Sequence, residues 1–169
     1  MGVVGAGKTT IGTLLAQKLG WRFADADDFH SEENKGRMAA GIPLADSDRR
    51  PWIISLRRAI EEWEAATCKV ILACSSLKRS YREGLQSPEE KNTDAVRFVY
   101  LKGDYGLILA RLRSRHGHFA TESILRSQLA DLEEPDNSIT VSIAKSPEEV
   151  VSEIIGKLNK PQASPDADK

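Results

Sequence analysis

Glycines followed by a lysine and two threonines stand at the start of the chain, in a spacing suited to binding phosphate groups. One glycine, four further residues and then Gly-Lys-Thr form a loop whose glycines let the backbone curl and turn its N–H groups inward. A helix that starts directly after such a loop adds its positive N-terminal end. The spacing therefore predicts a triphosphate-binding loop made of Gly2, Val3, Val4, Gly5, Ala6, Gly7, Lys8, Thr9 and Thr10.

Two side chains of this loop have separate chemical tasks. Lys8 is expected to reach the β- and γ-phosphates and to act in catalysis, and the Thr9 hydroxyl is expected to bind Mg²⁺. A buried strand normally leads into a phosphate loop, and strands usually contain roughly five or six residues. Only Met1 precedes Gly2 here, so we expect the first strand to be missing or reduced to a stub.

Two carboxylates follow the next predicted strand. Asp25 and Asp27 are two residues apart at the strand end, where both side chains can point into one crevice. Phosphoryl transfer needs one carboxylate near Mg²⁺ and one near the acceptor hydroxyl. We therefore assign Asp25 to the metal, and Asp27 to the hydroxyl as a catalytic and substrate-binding residue. The alternative is that this acidic loop is solvated or caps the next helix.

Three cations in two later segments are candidates for binding an anionic substrate. Arg49 lies in a charged turn that enters a helix, where its guanidinium either binds a substrate carboxylate through two parallel hydrogen bonds or pairs with Asp46 or Asp48. Lys78 and Arg82 lie one helical turn apart after a buried strand, although solvated helix charges would have the same spacing. This number of cations favours an acidic substrate over a neutral sugar.

Two arginines four residues apart precede a Gly-His-Phe sequence. A cationic helix end beside a glycine predicts the base of a lid, over about residues 115–122. Such a lid would exclude water and bring Arg111 and Arg115 onto the transferring phosphoryl group. Arg113 is one residue off that face, so we expect it to be solvated. His118 is either a structural lid residue or contacts the substrate, and we include it among the candidate substrate-binding residues.

The composition limits the class of protein. The 169 residues include 24 basic and 25 acidic side chains, for a formal net charge of −1, which argues against a nucleic acid partner. The sequence contains no run of 18 apolar residues, so no membrane span is expected. Two cysteines are too few for a disulfide framework or a zinc site. The phosphate loop stands at the N-terminus in place of a signal peptide. Together with the low cysteine count, this predicts that the protein is located in the reducing cytoplasm.

Helical and strand-like segments alternate along the chain. This alternation predicts an α/β fold with a parallel sheet covered by helices on both faces, and ligands that gather beyond the carboxyl ends of the strands. We expect one domain over residues 1–160 and a disordered tail over 161–169. Strands are expected at 21–24, 70–74, 95–101 and 139–143, and helices at 7–19, 30–41, 51–66, 77–85, 105–115, 121–132 and 147–158.

From Gly2 to about Leu158 the chain resembles the gluconate kinase (gluconokinase) family of small P-loop sugar-acid kinases. Many proteins share the phosphate loop, and the more specific pieces are GIPLADSDRRPW at 41–52, CSSLKRSYRE at 74–83 and RLRSRHGHF at 111–119. The resemblance implies phosphorylation of D-gluconate at its 6-hydroxyl by ATP and Mg²⁺, feeding the pentose phosphate route. It also implies a nucleoside-monophosphate-kinase-like three-layer α/β/α fold with a five-stranded parallel sheet and a small lid, and a homodimer.

Three other interpretations remain open at this point. A shikimate-kinase-like or other small-molecule kinase of the same fold would share the phosphate loop and the Asp-x-Asp pair. Shikimate kinases, however, place a glycine-rich turn where this chain has Cys74-Ser75-Ser76. A regulatory GTP switch would need an Asn-Lys-x-Asp stretch, which the sequence lacks. The third interpretation is a weakly active homologue that retains nucleotide binding, because the first strand is so short.

Overall fold

The computed structural model describes residues 1–42, 44–86, 95–114 and 122–159. The helices in these ranges are α1 Lys8–Leu19, α2 Glu32–Ala39, α3 Asp46–Ala65, α4 Arg79–Leu85, α5 Tyr105–Arg113, α6 Glu122–Ala130 and α7 Pro147–Leu158. The strands are β1 Arg22–Asp25, β2 Val70–Ala73, β3 Val99–Lys102 and β4 Ile139–Ser142. The tail over 161–169 and nearly all of the predicted lid, residues 115–121, lie outside the described residues.

The start of α3 differs most from the sequence-based expectation. We expected this helix to begin at Pro51, and that was wrong, because it begins at Asp46. The Ala45 N–H donates to an Asp48 carboxylate oxygen at 2.8 Å, which satisfies a backbone donor at the helix entrance. Acidic side chains in the first turn also suit the positive end of the helix dipole. The helix is therefore already established when the chain reaches the proline.

The four described strands form two parallel pairs. In one pair Phe23 of β1 lies beside Ile71 of β2, and in the other Leu101 of β3 lies beside Val141 of β4. Successive residues of a strand face opposite sides of the sheet. Along β2, Ile71 packs on a core built with α1, α5 and α7, whereas Leu72 packs on a second core beneath α3. Helices thus cover both faces of the sheet, which makes the three-layer α/β arrangement.

Met1 and Gly2 lie between the two strand pairs. The Met1 ammonium donates to the Val99 carbonyl, and the Met1 carbonyl accepts from the Leu101 N–H at 3.0 Å. On the other side, the Gly2 N–H donates to the Ser75 carbonyl at 3.2 Å. These bonds place the start of the chain where a central strand would join the pairs. A cavity of about 510 Å³, lined by residues of β2, β3 and α1, lies beside this stub.

Candidate active site

The phosphate loop lies between the sheet and α1. Gly5 and Gly7 adopt φ angles of 80° and 92°, in the left-handed region that favours glycine. A Cβ atom on Gly5 would lie 2.9 Å from Leu112 Cγ, because α5 closes the space behind the loop. The Val3 and Ala6 side chains point into the core and are 3% and 0% exposed. The loop therefore presents backbone rather than side chains to the space in front of it.

Two groups of the loop are held by contacts within the protein. Lys8 Nζ donates to the Val3 carbonyl at 3.1 Å, so the ammonium lies back over the loop. The Val4 N–H donates to Gln128 Oε1 of α6 at 2.6 Å. Gln128 is not predictable from the sequence, because a single amide so far along the chain belongs to no phosphate-binding motif. Helix α6 thus contributes to the phosphate side of the site.

The residues assigned to the metal lie together. Thr9 Oγ1 donates to Asp25 Oδ2 at 3.3 Å, and Asp25 Oδ1 accepts from the Asp27 N–H at 3.1 Å. Asp25 therefore faces Thr9 and also caps the 3₁₀ turn Ala26–Phe29. Burial, and after it the charge of Asp25, raises the pKa of Asp27, which makes this carboxylate a stronger base than an ordinary aspartate.

Arg49 and Lys78 converge on the carboxylate of Asp46. Lys78 Nζ donates to both Asp46 oxygens at 3.0 Å, and the Arg49 guanidinium lies 3.8 Å from the same carboxylate. The Tyr81 hydroxyl donates to Asp46 and accepts from Arg49 Nη1 at 3.0 Å. Hydrogen bonds from Tyr81 and then Lys78 lower the pKa of Asp46. Arg49 is thus ion-paired with Asp46 and also lines the cavity in front of the loop, and its binding of a substrate carboxylate stays a prediction.

Arg82 lies in a different environment from Lys78, although the two share a helix face in the sequence. Its side chain is 6% exposed, and its guanidinium donates to the Ser76 carbonyl at 3.0 Å and to the Leu77 carbonyl at 2.9 Å. Ser76 has a positive φ of 44°, which is unfavourable for a residue other than glycine. Arg82 is not among the residues that line the cavity, and it holds the loop that carries the lining residues Ser75 and Leu77.

The predicted lid arginines are only partly within the described residues. Arg111 Nη2 donates to the Ile143 carbonyl at 2.6 Å, just beyond β4, and Arg111 is not among the residues lining the cavity. Arg113 pairs with Glu122 at 3.1 Å and its side chain is 71% exposed. Arg115 and His118 lie outside the described residues.

A buried histidine that we had assigned no role lines the same cavity. His30 is 7% exposed, and its ring stacks on that of Trp52 with centroids 4.5 Å apart and planes 5° apart. Trp52 is itself held by its Nε1–H, which donates to the Ala26 carbonyl at 2.7 Å. The sequence feature that could have identified His30 as a cavity residue is its position directly after the Asp-x-Asp segment.

These groups surround a cavity of about 640 Å³ at the carboxyl ends of β1 and β2. One part of its wall is the phosphate loop with the start of α1, which suits a polyphosphate. The other part combines carboxylates, a cation and aromatic rings, namely Asp25, Asp27, His30, Arg49, Trp52 and Tyr81. Fold and site together define a P-loop kinase that phosphorylates a small molecule.

Comparison with known proteins identifies the family. The shikimate kinase family model matches residues 4–159. A probable gluconokinase from Mus musculus is 42% identical over 94% of this chain and 95% of its own length. A solved gluconokinase from Sinorhizobium meliloti 1021 is 38% identical, with a TM-score of 0.80 over 94% of this chain and 88% of that one. A solved sugar kinase from Janibacter sp. HTCC2649 is 42% identical, with a TM-score of 0.83 over 94% and 91%.

The chain belongs to the gluconokinase family, within the wider shikimate kinase family. The resemblance found in the sequence and the α/β P-loop fold are thereby confirmed. The shikimate-kinase-like alternative is less well supported, since curated relatives from bacteria at 36% to 43% identity are also gluconokinases. None of the helices in the described ranges is long and apolar enough to span a membrane.

Proposed function

We propose that this protein transfers the γ-phosphoryl group of ATP to the 6-hydroxyl of D-gluconate, giving 6-phospho-D-gluconate and ADP. The observation that carries this proposal is one cavity in which the phosphate loop faces Asp27 and Arg49. Gluconokinase relatives that are 42% identical over at least 92% of the chain support gluconate as the acceptor.

On the acceptor side, Asp27 and Arg49 have complementary roles. The 6-hydroxyl oxygen attacks the γ-phosphorus, and the bond from that phosphorus to the β–γ bridging oxygen breaks, leaving the electron pair on ADP. Asp27 accepts a hydrogen bond from the hydroxyl and takes its proton, a task helped by its raised pKa. Arg49 binds the substrate carboxylate, with Lys78 as a second cation nearby. Arg82 acts through the loop that it supports.

On the phosphate side, Lys8 and the loop N–H groups stabilise the negative charge of the β- and γ-phosphates. Thr9 and Asp25 are the proposed ligands of Mg²⁺, a cation that prefers oxygen donors and commonly keeps water and phosphate oxygens around it. The ion would neutralise charge on the phosphates. Arg111 would have to leave the Ile143 carbonyl to approach the transferring group. Arg115 and His118 remain proposed lid contacts.

We also propose a cytoplasmic homodimer whose protomers each fold as one domain over residues 1–160, with a lid near 115–122 and a disordered tail over 161–169. Family resemblance supports the dimer, and the alternating helices and strands support the single domain. Light scattering after size exclusion measures the mass of the assembly directly. A monomer at micromolar concentration would contradict the dimer without affecting the proposed chemistry.

A coupled assay tests the activity. Protein, ATP and MgCl₂ are mixed with D-gluconate, and 6-phosphogluconate is read through NADPH formation. ADP release is compared in parallel with shikimate as acceptor, and Lys8→Ala serves as the inactive control. We expect turnover of gluconate and none of shikimate. A folded, ATP-binding protein that turns over neither acid, or shikimate alone, would refute the proposed function.

A further inference from the structure

The side-chain amide of Gln128 lies against the phosphate loop. Its Oε1 accepts from the Val4 N–H at 2.6 Å, although the two residues are 124 positions apart in the chain. Only the amide oxygen can accept from an N–H, so this bond fixes which way the amide is turned and leaves Nε2 free to contact a ligand. Gln128 and Val4 both line the 640 Å³ cavity.

The Nε2 group of this amide is available for a further contact. It makes no hydrogen bond to any residue in the described ranges, and it retains accessible surface on a half-buried side chain. Because the two polar atoms of an amide share one carbon, Nε2 also lies beside the loop. It offers two N–H donors, and donors are the groups that phosphate oxygens accept from.

The peptide group that joins Val3 to Val4 indicates which phosphate is near. Its N–H donates to Gln128, and its carbonyl accepts from Lys8 Nζ at 3.1 Å. Lys8 is the residue expected to reach the β- and γ-phosphates. Asp27, assigned to the acceptor hydroxyl, lines the same cavity. A donor held at this peptide group is therefore placed to contact the γ-phosphoryl group.

Helix α6 holds Gln128 in place through its own packing. Leu125 on this helix is fully buried in the core, and Leu129 packs against the same core. Beyond the helix, the Glu133 N–H donates to the Leu77 carbonyl at 3.0 Å, which ties this end of α6 to the loop after β2. A side chain that is carried by a packed helix and already bonded to the loop loses little conformational entropy on binding.

We propose that Gln128 binds the γ-phosphoryl group, with Nε2 donating to one of its oxygens while Oε1 keeps its bond to the Val4 N–H. The inference rests on the proposed function and deepens it, because the contact positions the group that is transferred. The competing role is structural: Gln128 would only hold the loop, whose N–H groups bind the β-phosphate of ATP and ADP alike.

Titration calorimetry separates the two roles, because ADP lacks the γ-phosphoryl group. The full chain is titrated in MgCl₂ with ADP and with AMPPNP, a non-hydrolysable analogue of ATP, as wild type and as Gln128→Leu. We expect the variant to raise the Kd of AMPPNP about tenfold, as is typical of one hydrogen bond to a charged group, and to leave the Kd of ADP within about twofold. Gln17→Leu is the matched control and should change neither Kd, since Gln17 is exposed on α1 and does not line the cavity.

A rise of equal size in both Kd values would assign Gln128 to holding the loop alone and overturn the proposal. Unchanged Kd values for both nucleotides would overturn it as well. If Gln128→Leu lowers the melting temperature, Gln128→Met takes its place, because methionine is unbranched like glutamine and favours helices equally well. A wild-type protein that binds both nucleotides and phosphorylates no D-gluconate would instead refute the proposed function.

Discussion

Arg49→Ala tests whether the acceptor of this kinase is an acid. Arg49 lines the cavity, its side chain is 27% exposed, and its guanidinium is oriented by the Tyr81 hydroxyl at 3.0 Å and the Asp46 carboxylate at 3.8 Å. It is therefore held in place before substrate binds. We expect the variant to raise KM for D-gluconate while leaving KM for ATP within about twofold, because the phosphate loop does not contain this residue.

The size of the effect follows from the bond that is lost. Hydrogen bonds to charged groups contribute about 1.5–3 kcal/mol, which corresponds to a rise in KM of roughly 10- to 150-fold. Arg49→Lys keeps the charge but not the planar guanidinium, so its KM for D-gluconate should lie between those of the wild type and Arg49→Ala. The lost stacking of Arg49 over Tyr81, 5.7 Å from the ring centroid, lowers stability by about 0.5–1 kcal/mol. Such a change is too small to unfold the protein.

The assay is steady-state kinetics with each substrate varied in turn, beside a thermal melt. Arg50→Ala is the matched control, since Arg50 precedes Pro51 on the same helix, is exposed, and does not line the cavity. A rise in KM of equal size for ATP and gluconate, or no rise at all, would refute the reasoning that Arg49 binds the acceptor carboxylate.

Three further outcomes are expected. Asp27→Asn should lower kcat by about 10²–10⁴-fold, while Asp28→Asn should not. Because the pKa of Asp27 is raised in the free protein, the wild-type kcat/KM should fall with acid at a pH above the usual aspartate range. Arg82→Ala should lower the free energy of unfolding in urea by about 1–3 kcal/mol, because the Ser76 carbonyl loses the donor that Arg82 supplies and the Leu77 carbonyl keeps only its bond from the Glu133 N–H. The exposed Arg79→Ala should not have this effect. In the chain beginning at Met1, burial and then a nearby lysine charge lower the ammonium pKa from 8.0 to about 5. The unfolded chain therefore binds a proton in this range that the folded chain does not, so stability should decrease from pH 8 to pH 5, and acetylating the amino group should remove that dependence.

The phosphate side of the site was predictable because its function depends on backbone spacing within one short segment. Gly5 and Gly7 take the positive φ angles that the motif requires. The proximity of Thr9 and Asp25 was predictable as well, since a helix start and a strand end meet at the same edge of a parallel sheet.

The roles of side chains that depend on packing against other elements could not be predicted from the spacing of residues in the sequence. Helical spacing placed Lys78 and Arg82 on one face, yet Lys78 reaches an exposed carboxylate and Arg82 turns into the protein toward two carbonyls. Spacing along a helix fixes the direction of a side chain but not whether the surroundings are solvent or protein. Gln128 and His30 were missed for a related reason, because each acquires its role through a partner from another element.

The position of Met1 and Gly2 has a mechanical consequence for the sheet. In the described part of the chain, their hydrogen bonds connect the β1–β2 pair to the β3–β4 pair at the end nearest the phosphate loop, and the 510 Å³ cavity lies beside them. Met1 and Gly2 thus link the two strand pairs, and Gly2 also belongs to the loop proposed to bind the nucleotide. Tight binding of a triphosphate should stabilise this link, so amide protons of β3 should exchange more slowly with solvent when ATP is bound.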